Sequence, residues 1–310
     1  RARPSACGIK AALEHGLERA MQEPREFIVE IGEVELCVYE WPGEGCPVLL
    51  LHATGFHSRC WNEVVLRLPG RHIYAVDIHF HGGSSTAGEV VDWKLFSEDI
   101  AALVERLDLR EVVAVGHSMG GHLTARAAAL KPERFRHLVL IDPVIFSPER
   151  YATQKQLLAD LPAADHPVAR RKNNWRDAEE MYQRFRDREP FDSWQPAVLR
   201  DYCDYALLPP DEDGMRQLAC NPINEASNYL NAPGEADILQ MLPAITTPIT
   251  LLRAPGGDSQ EPNFSASPTW TELAAALPRC RDVYLEQLNH FIPMQDPQLV
   301  ADYILEALQA

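Results

Sequence analysis

EVVAVGHSMGGHLTARAAAL, from Glu111 to Leu130, runs from an apolar segment into an alanine-rich one through a single serine fenced by glycines. Val112 to Val115 reads as a buried strand, and Met119 to Leu130 as a helix. Ser118 sits between them, with Gly116 two residues before it and Gly120 and Gly121 after it. G-x-S-x-G between strand and helix is a nucleophile elbow. The serine occupies a sharp, strained turn that lifts its hydroxyl clear of the sheet. Side chains two residues to either side would collide in such a turn, hence glycine at 116 and 120. The helix N-terminus beneath the serine adds a positive dipole end for a developing oxyanion. The five-residue pattern alone arises by chance in about one chain in ten of this length. Its weight comes from the strand–turn–helix context.

Working outward, Val48–Leu51, Ile73–Val76 and Leu138–Ile141 are further apolar runs without alternation. Strands apolar on both faces belong to a parallel sheet covered by helices. Helical patterns separate them at Trp61–Leu68 and Trp93–Leu109. The fold class is therefore α/β, a doubly wound, mostly parallel sheet with right-handed crossovers. Phe27–Ile31 and Val34–Trp41 read as strands around a turn at Gly32-Glu33. Ile9, Leu13, Leu17 and Met21 form one stripe of an N-terminal helix over about 9–22.

The alternation stops after Asp142-Pro143. Residues 147–243 are polar, proline-studded and helical, with Trp175, Ala178, Tyr182 and Phe185 on one helix face. Strand patterns return at Ile249–Leu252 and Val283–Leu285, with a helix near Trp270–Leu277. Asp296-Pro297 opens a last helix to Leu308 as N-cap and first-turn proline. The expected organisation is a core of 1–146 and 244–310 with a helical cap, 147–243, inserted over the carboxyl ends of the strands. Open α/β sheets bind their ligands there.

A serine hydroxyl needs a base to act as a nucleophile at neutral pH. Of eleven histidines, His290 is the one placed for it, in the loop after the strand at Val283 and before the last helix. His117 and His122 are too local to Ser118 and read as elbow and helix residues. The base needs an acid on its other ring nitrogen. Asp258, beyond the strand Ile249–Leu252, continues the order serine, acid, histidine and is the expected acid. Asp142, ending the neighbouring strand, is the rival, and Glu261 a further candidate. The expected oxyanion donors are the backbone amides of Met119 and of Thr54, the latter in the turn His52-Ala53-Thr54-Gly55-Phe56. His52 is expected to hold that turn in shape. Phe56, Trp175 and Tyr229 are the expected substrate-lining residues.

The chain is identified on these residues as resembling the α/β-hydrolases, over nearly its whole length. The resemblance rests on His52–Phe56, Gly116–Gly121, Asp258, Asn289-His290 and the insertion after Asp142. It is similar to the capped bacterial serine-hydrolase branch that holds carboxylesterases, lactonases and carbon–carbon bond hydrolases. One departure is plain. Where the family often reads D-x-R-G-x-G-x-S, this chain reads Asp77-Ile78-His79-Phe80-His81-Gly82-Gly83-Ser84, with His79 and Phe80 replacing Arg and Gly. Serine at 118 excludes the aspartate-dependent epoxide hydrolases and haloalkane dehalogenases. The resemblance implies carboxylic ester hydrolysis of small to medium apolar acyl or aryl substrates. Carbon–carbon bond hydrolysis of ring-cleavage products and lactone hydrolysis are alternatives, and a hydrolase-fold small-molecule sensor is a third.

The bulk numbers agree with a large soluble domain. The chain has 310 residues, 46% hydrophobic and 24% charged, with a formal charge of −16. Such acidity repels phosphate backbones, so nucleic acid is not an expected partner. No apolar run approaches a membrane span, and the N-terminus has no signal-peptide pattern. Seven cysteines without a C-x-x-C pair read as reduced thiols of a cytoplasmic protein. His79 and His81 lack the carboxylate or cysteine company of a metal site. No cofactor or metal is expected, and the protein is expected to be a monomer or homodimer.

Overall fold

The computed structural model describes residues 23–86, 93–158, 160–256 and 263–310. The expected N-terminal helix, Asp258 and Glu261 lie outside them. Eight strands form one sheet: β1 (Arg25–Ile31), β2 (Val34–Trp41), β3 (Glu44–Leu51), β4 (Arg71–Val76), β5 (Val112–His117), β6 (Phe135–Ile141), β9 (Ile249–Arg253) and β10 (Cys280–Tyr284). Their order is β1-β2-β4-β3-β5-β6-β9-β10. β3, β4, β5, β6, β9 and β10 are parallel; β1 and β2 add an antiparallel edge hairpin, turned by Gly32 at φ 60°. The unbroken apolar runs now have their reason, because every residue of β5 is buried.

Helices cover both faces. Trp93–Arg106 and Met119–Leu130 pack Trp93, Phe96, Ile100, Leu123 and Ala127 on one side, with Leu49, Leu51 and Ala114 of the sheet. Pro297–Gln309 packs Val300, Ile304 and Ala307 on the other, against Val113, Val115 and Val139. Asp296 caps that last helix as its composition predicts, accepting from the Leu299 amide at 2.9 Å. β3 neighbours both β4 and β5, so the chain reverses its winding there. The ends of β3 and β5 thus flank a topological switch point, the crevice where such sheets place ligands.

Two expected helices are shorter than their patterns. Trp61–Leu68 becomes a 3₁₀ turn, Ser58–Trp61, followed by one helical turn, Asn62–Val65. Near Trp270 only Leu273–Ala276 is helical, because Pro278 pushes Leu277 into an extended backbone at φ −108° and ψ 126°.

Between β6 and β9 the chain leaves the sheet. This insertion holds the helices Pro148–Leu158, Ala178–Phe185, Pro196–Tyr205 and Pro222–Asn231. It also holds a two-stranded ladder of β7 (Asn174–Trp175) with β8 (Arg216–Gln217). Its buried Trp194, Val198, Leu199 and Tyr202 pack on Ala53, Phe56 and Cys60, which follow β3, and on Phe291 and Met294, which follow β10. The insertion therefore lies against loops at the carboxyl edge of the sheet.

Candidate active site

Ser118 has φ 57° and ψ −117°, a backbone conformation that L side chains rarely adopt. Strain of about 1–3 kcal/mol at such a residue persists only where the surroundings impose it. Here they do. A Cβ on Gly116 would lie 2.2 Å from the Gly120 carbonyl oxygen, and one on Gly120 2.3 Å from that of Leu51. The two glycines let the strand, the turn and the neighbouring loop approach to backbone contact. The Ser118 amide donates to the Ile141 carbonyl at 3.0 Å, tying the turn to β6.

His290 reaches the serine from the loop after β10. The Ser118 hydroxyl donates to His290 Nε2 at 3.0 Å, and His290 Nδ1–H donates to Asp142 Oδ2 at 2.7 Å. The loop is anchored on both sides. The His290 amide donates to the Ser265 carbonyl, and His117 Nε2–H donates to the His290 carbonyl at 2.8 Å. Burial pushes the His117 imidazole well below the usual histidine range, so it is a neutral strut.

The carboxylate that meets His290 is not the one the sequence reading expected. Asp142 occupies His290 Nδ1, the place expected for Asp258. Its side chain is fully buried and doubly supported. Oδ1 accepts from the Ala254 amide at 3.0 Å and the Ser267 hydroxyl at 2.6 Å, leaving Oδ2 to the histidine. The physical reason lies in sheet adjacency. β6 lies between β5 and β9, so its end points into the same crevice, and a positive φ of 45° at Asp142 bends the chain there. The signal in the sequence was an aspartate directly ending a strand. Its partners, Ser267 and Thr269, are more than a hundred residues away and invisible to local pattern.

Thr54 and Met119 come together beside the serine, with the Thr54 hydroxyl 3.3 Å from Met119 Sδ. Both residues are buried, and among the described residues neither amide donates to another protein group. Such a pair of buried donors, one following the serine and one from the β3 turn, is what a developing oxyanion requires. His52 does hold the turn: its Nδ1–H donates to the Ala53 carbonyl at 2.8 Å and its Nε2 accepts from the Ile78 amide at 2.9 Å.

Phe56 is buried beside the site. Its ring lies 6.4 Å from that of His117, 6.2 Å from Phe291 and 5.4 Å from Trp194. Phe291, whose ring lies 5.5 Å from that of His290, is the aromatic beside the site that sequence reasoning missed. Trp175 lies inside the insertion, edge-on to Phe185, and donates to the Lys172 carbonyl. Tyr229 stacks on His166 and meets Phe264 edge-on. The loop that departs from the family pattern is also accounted for. Phe80 takes the glycine's place at φ 69°, buried and stacked on His79 with ring centroids 4.0 Å apart. Among the described residues no group of three or more histidine, cysteine, aspartate or glutamate side chains is arranged to hold a metal ion. No helix there is long and apolar enough to cross a membrane.

A mostly parallel sheet, a strained serine after its central strand and a histidine–carboxylate pair at the same edge define an α/β-hydrolase arrangement. The chain belongs to the alpha/beta hydrolase family, whose profile matches residues 48–303. It is 29% identical over 182 residues to a serine hydrolase-like protein of Danio rerio, covering 56% of each chain. The chain spans about a third to just over half the length of the curated relatives it matches. Among solved structures, E-2-(acetamidomethylene)succinate hydrolase superposes with a TM-score of 0.73 at 23% identity, over 93% of this chain and all of that one. An esterase of M. tuberculosis superposes with a TM-score of 0.71 at 22% identity, over 97% and 98% of the two chains.

Proposed function

We propose that this protein is a capped serine hydrolase that cleaves carboxylic esters of small to medium apolar acyl or aryl groups. The observation that carries the proposal is the relay from the Ser118 hydroxyl through His290 to Asp142, at 3.0 and 2.7 Å. Ser118 Oγ attacks the ester carbonyl carbon while His290 Nε2 takes its proton. The buried Asp142 carboxylate holds the Nδ1–H tautomer and stabilises the imidazolium. The Thr54 and Met119 amides receive the oxyanion. As the C–O bond breaks, His290 returns the proton to the leaving alkoxide. Water then attacks the acyl-enzyme with the same base assistance, releasing the acid and restoring Ser118. No step needs a cofactor or metal. Phe56, Phe291 and Trp194 supply an apolar aromatic wall beside the serine, which favours an apolar acyl or aryl group.

The test is steady-state hydrolysis of p-nitrophenyl esters from acetate to decanoate, with Ser118→Ala as control. Multiple turnovers reduced about 10⁶-fold in the variant are expected. The optimum chain length sizes the pocket. A folded wild-type protein without turnover would overturn the ester reading and direct the search to lactones and carbon–carbon bonds.

A further inference from the structure

Loop 77–84 touches the β3 turn at three points, each a side chain meeting a backbone amide across the gap. Asp77 Oδ1 accepts from the Ser58 amide at 2.7 Å. His52 Nε2 accepts from the Ile78 amide at 2.9 Å, and His81 Nε2 accepts from the Gly55 amide at 3.0 Å. The two imidazole rings lie 5.0 Å apart and are both buried.

Their bonds fall on the two peptide units that flank Thr54. A peptide unit is planar and trans, so fixing one end of it aims the other. On the near side, the Ala53 carbonyl is held by His52 Nδ1–H and by the Phe56 amide, which turns the Thr54 N–H the opposite way. On the far side, the next unit carries the Thr54 carbonyl and is held by its Gly55 N–H on His81, so both peptide planes that meet at the Thr54 Cα are pinned and the residue cannot swing its N–H away. Gly55 has φ 78°, and a Cβ there would lie 2.5 Å from Glu225 Oε1, so this position does not brace itself with a side chain.

We propose that His81 is a positioning residue: as a neutral imidazole accepting from the Gly55 amide, it holds the Thr54 N–H aimed at the reacting carbonyl oxygen. The inference rests on the reading of Thr54 as an oxyanion donor. His81 has the chemistry for it. Its Nδ1–H donates to the His79 carbonyl at 3.0 Å, which leaves Nε2 as a bare acceptor. Burial pushes the ring down to about 4, so it keeps that form at neutral pH. The tight turn that aims it is closed by the His81 amide on the Ile78 carbonyl at 2.9 Å. Phe80, one residue earlier, is anchored in the core.

The experiment compares His81→Leu, which fills space without an acceptor, with His81→Gln, whose amide oxygen can stand where Nε2 stood. With p-nitrophenyl butyrate, kcat is expected to fall about 10- to 100-fold in His81→Leu, with KM within about twofold, and to recover most of the loss in His81→Gln. Inhibition by an alkylboronic acid, which forms a tetrahedral adduct on Ser118, should weaken by the same factor as kcat. A folded His81→Leu protein with unchanged kcat overturns the proposal, as does equal loss in both variants. Should His81→Leu fail to fold, ¹⁵N spectra of the wild-type histidines decide: a protonated His81 Nε2 cannot accept from Gly55 and ends the proposal. Should the wild type not hydrolyse esters, the rate of Ser118 phosphonylation by a fluorophosphonate replaces kcat. That reaction uses the same donors whatever bond is cleaved, so failure of the ester reading and failure of the His81 role remain distinguishable.

Discussion

The elbow and the insertion face each other across the site but are held by different forces. Around Ser118 the stabilising interactions are apolar burial and backbone contact: β5 is wholly buried, and two glycines bring main chains within van der Waals reach. The insertion has an apolar cluster of its own, with Trp175, Met181, Val198 and Tyr202 buried, and adds ion pairs to it. Arg171 pairs with the buried Glu225 and donates to the Tyr202 hydroxyl at 2.9 Å. Lys172 pairs with Glu180, and Arg200 with Glu179. An interior of close-packed backbone tolerates almost no added volume. An ion-paired assembly tolerates volume but not the loss of a partner.

The comparison can be broken most sharply at Asp142. Asp142→Asn should lower kcat/KM about 10⁴-fold without unfolding the protein, while Asp258→Asn should leave it within a few fold. The reverse result, measured on the same ester, would return the acid's role to the loop after β9. Next comes steric intolerance. Gly120→Ala forces a Cβ to 2.3 Å from the Leu51 oxygen and should cost more than about 3 kcal/mol, read as a lowered urea midpoint together with lost activity. A soluble, active Gly120→Ala protein would show that the elbow yields more than its packing implies.

Arg171→Met tests the other side. It strands the Glu225 carboxylate in a buried site, and a loss of about 2–3 kcal/mol is expected, first seen as faster amide exchange in the insertion than in the sheet. Exchange rising equally in both regions would mean that they unfold as one unit. The smallest effect concerns pH. Burial pushes His122, on the helix after the elbow, down to about 4. Its folded-state value lies below the unfolded one, so its contribution is full above about pH 6.5 and is withdrawn as pH falls towards 4. Between pH 6.5 and 5 the wild type should lose about 1.5 kcal/mol more stability than His122→Gln, measured by urea titration at each pH. Parallel pH profiles would place the acid sensitivity elsewhere.

Much of this was legible in the residues because the constraints are local. Strands buried on both faces must be continuously apolar, so β3, β4, β5, β6 and β9 show in composition alone. A serine on a strained turn between close-packed backbones needs glycines at fixed offsets, so Ser118 shows in five residues. His290 shows because a loop between a late strand and the last helix delivers a side chain to the same edge. Asp142 did not show as the acid. Several carboxylates end strands or begin loops here, and which one meets His290 depends on strand order and on Ser267, Thr269 and Ala254 converging from distant sequence. The role of His81 was hidden for the same reason: its acceptor nitrogen matters only once two loops, 26 residues apart, lie side by side. Sequence by itself determined the sheet, the elbow and the place of His290, since each follows from periodicity, steric room or chain order within a few residues. Only the tertiary structure decided which carboxylate meets His290, which rings gather on Phe56 and that the Gly55 amide meets His81, because contacts are set by distance in space and carry no trace in local pattern.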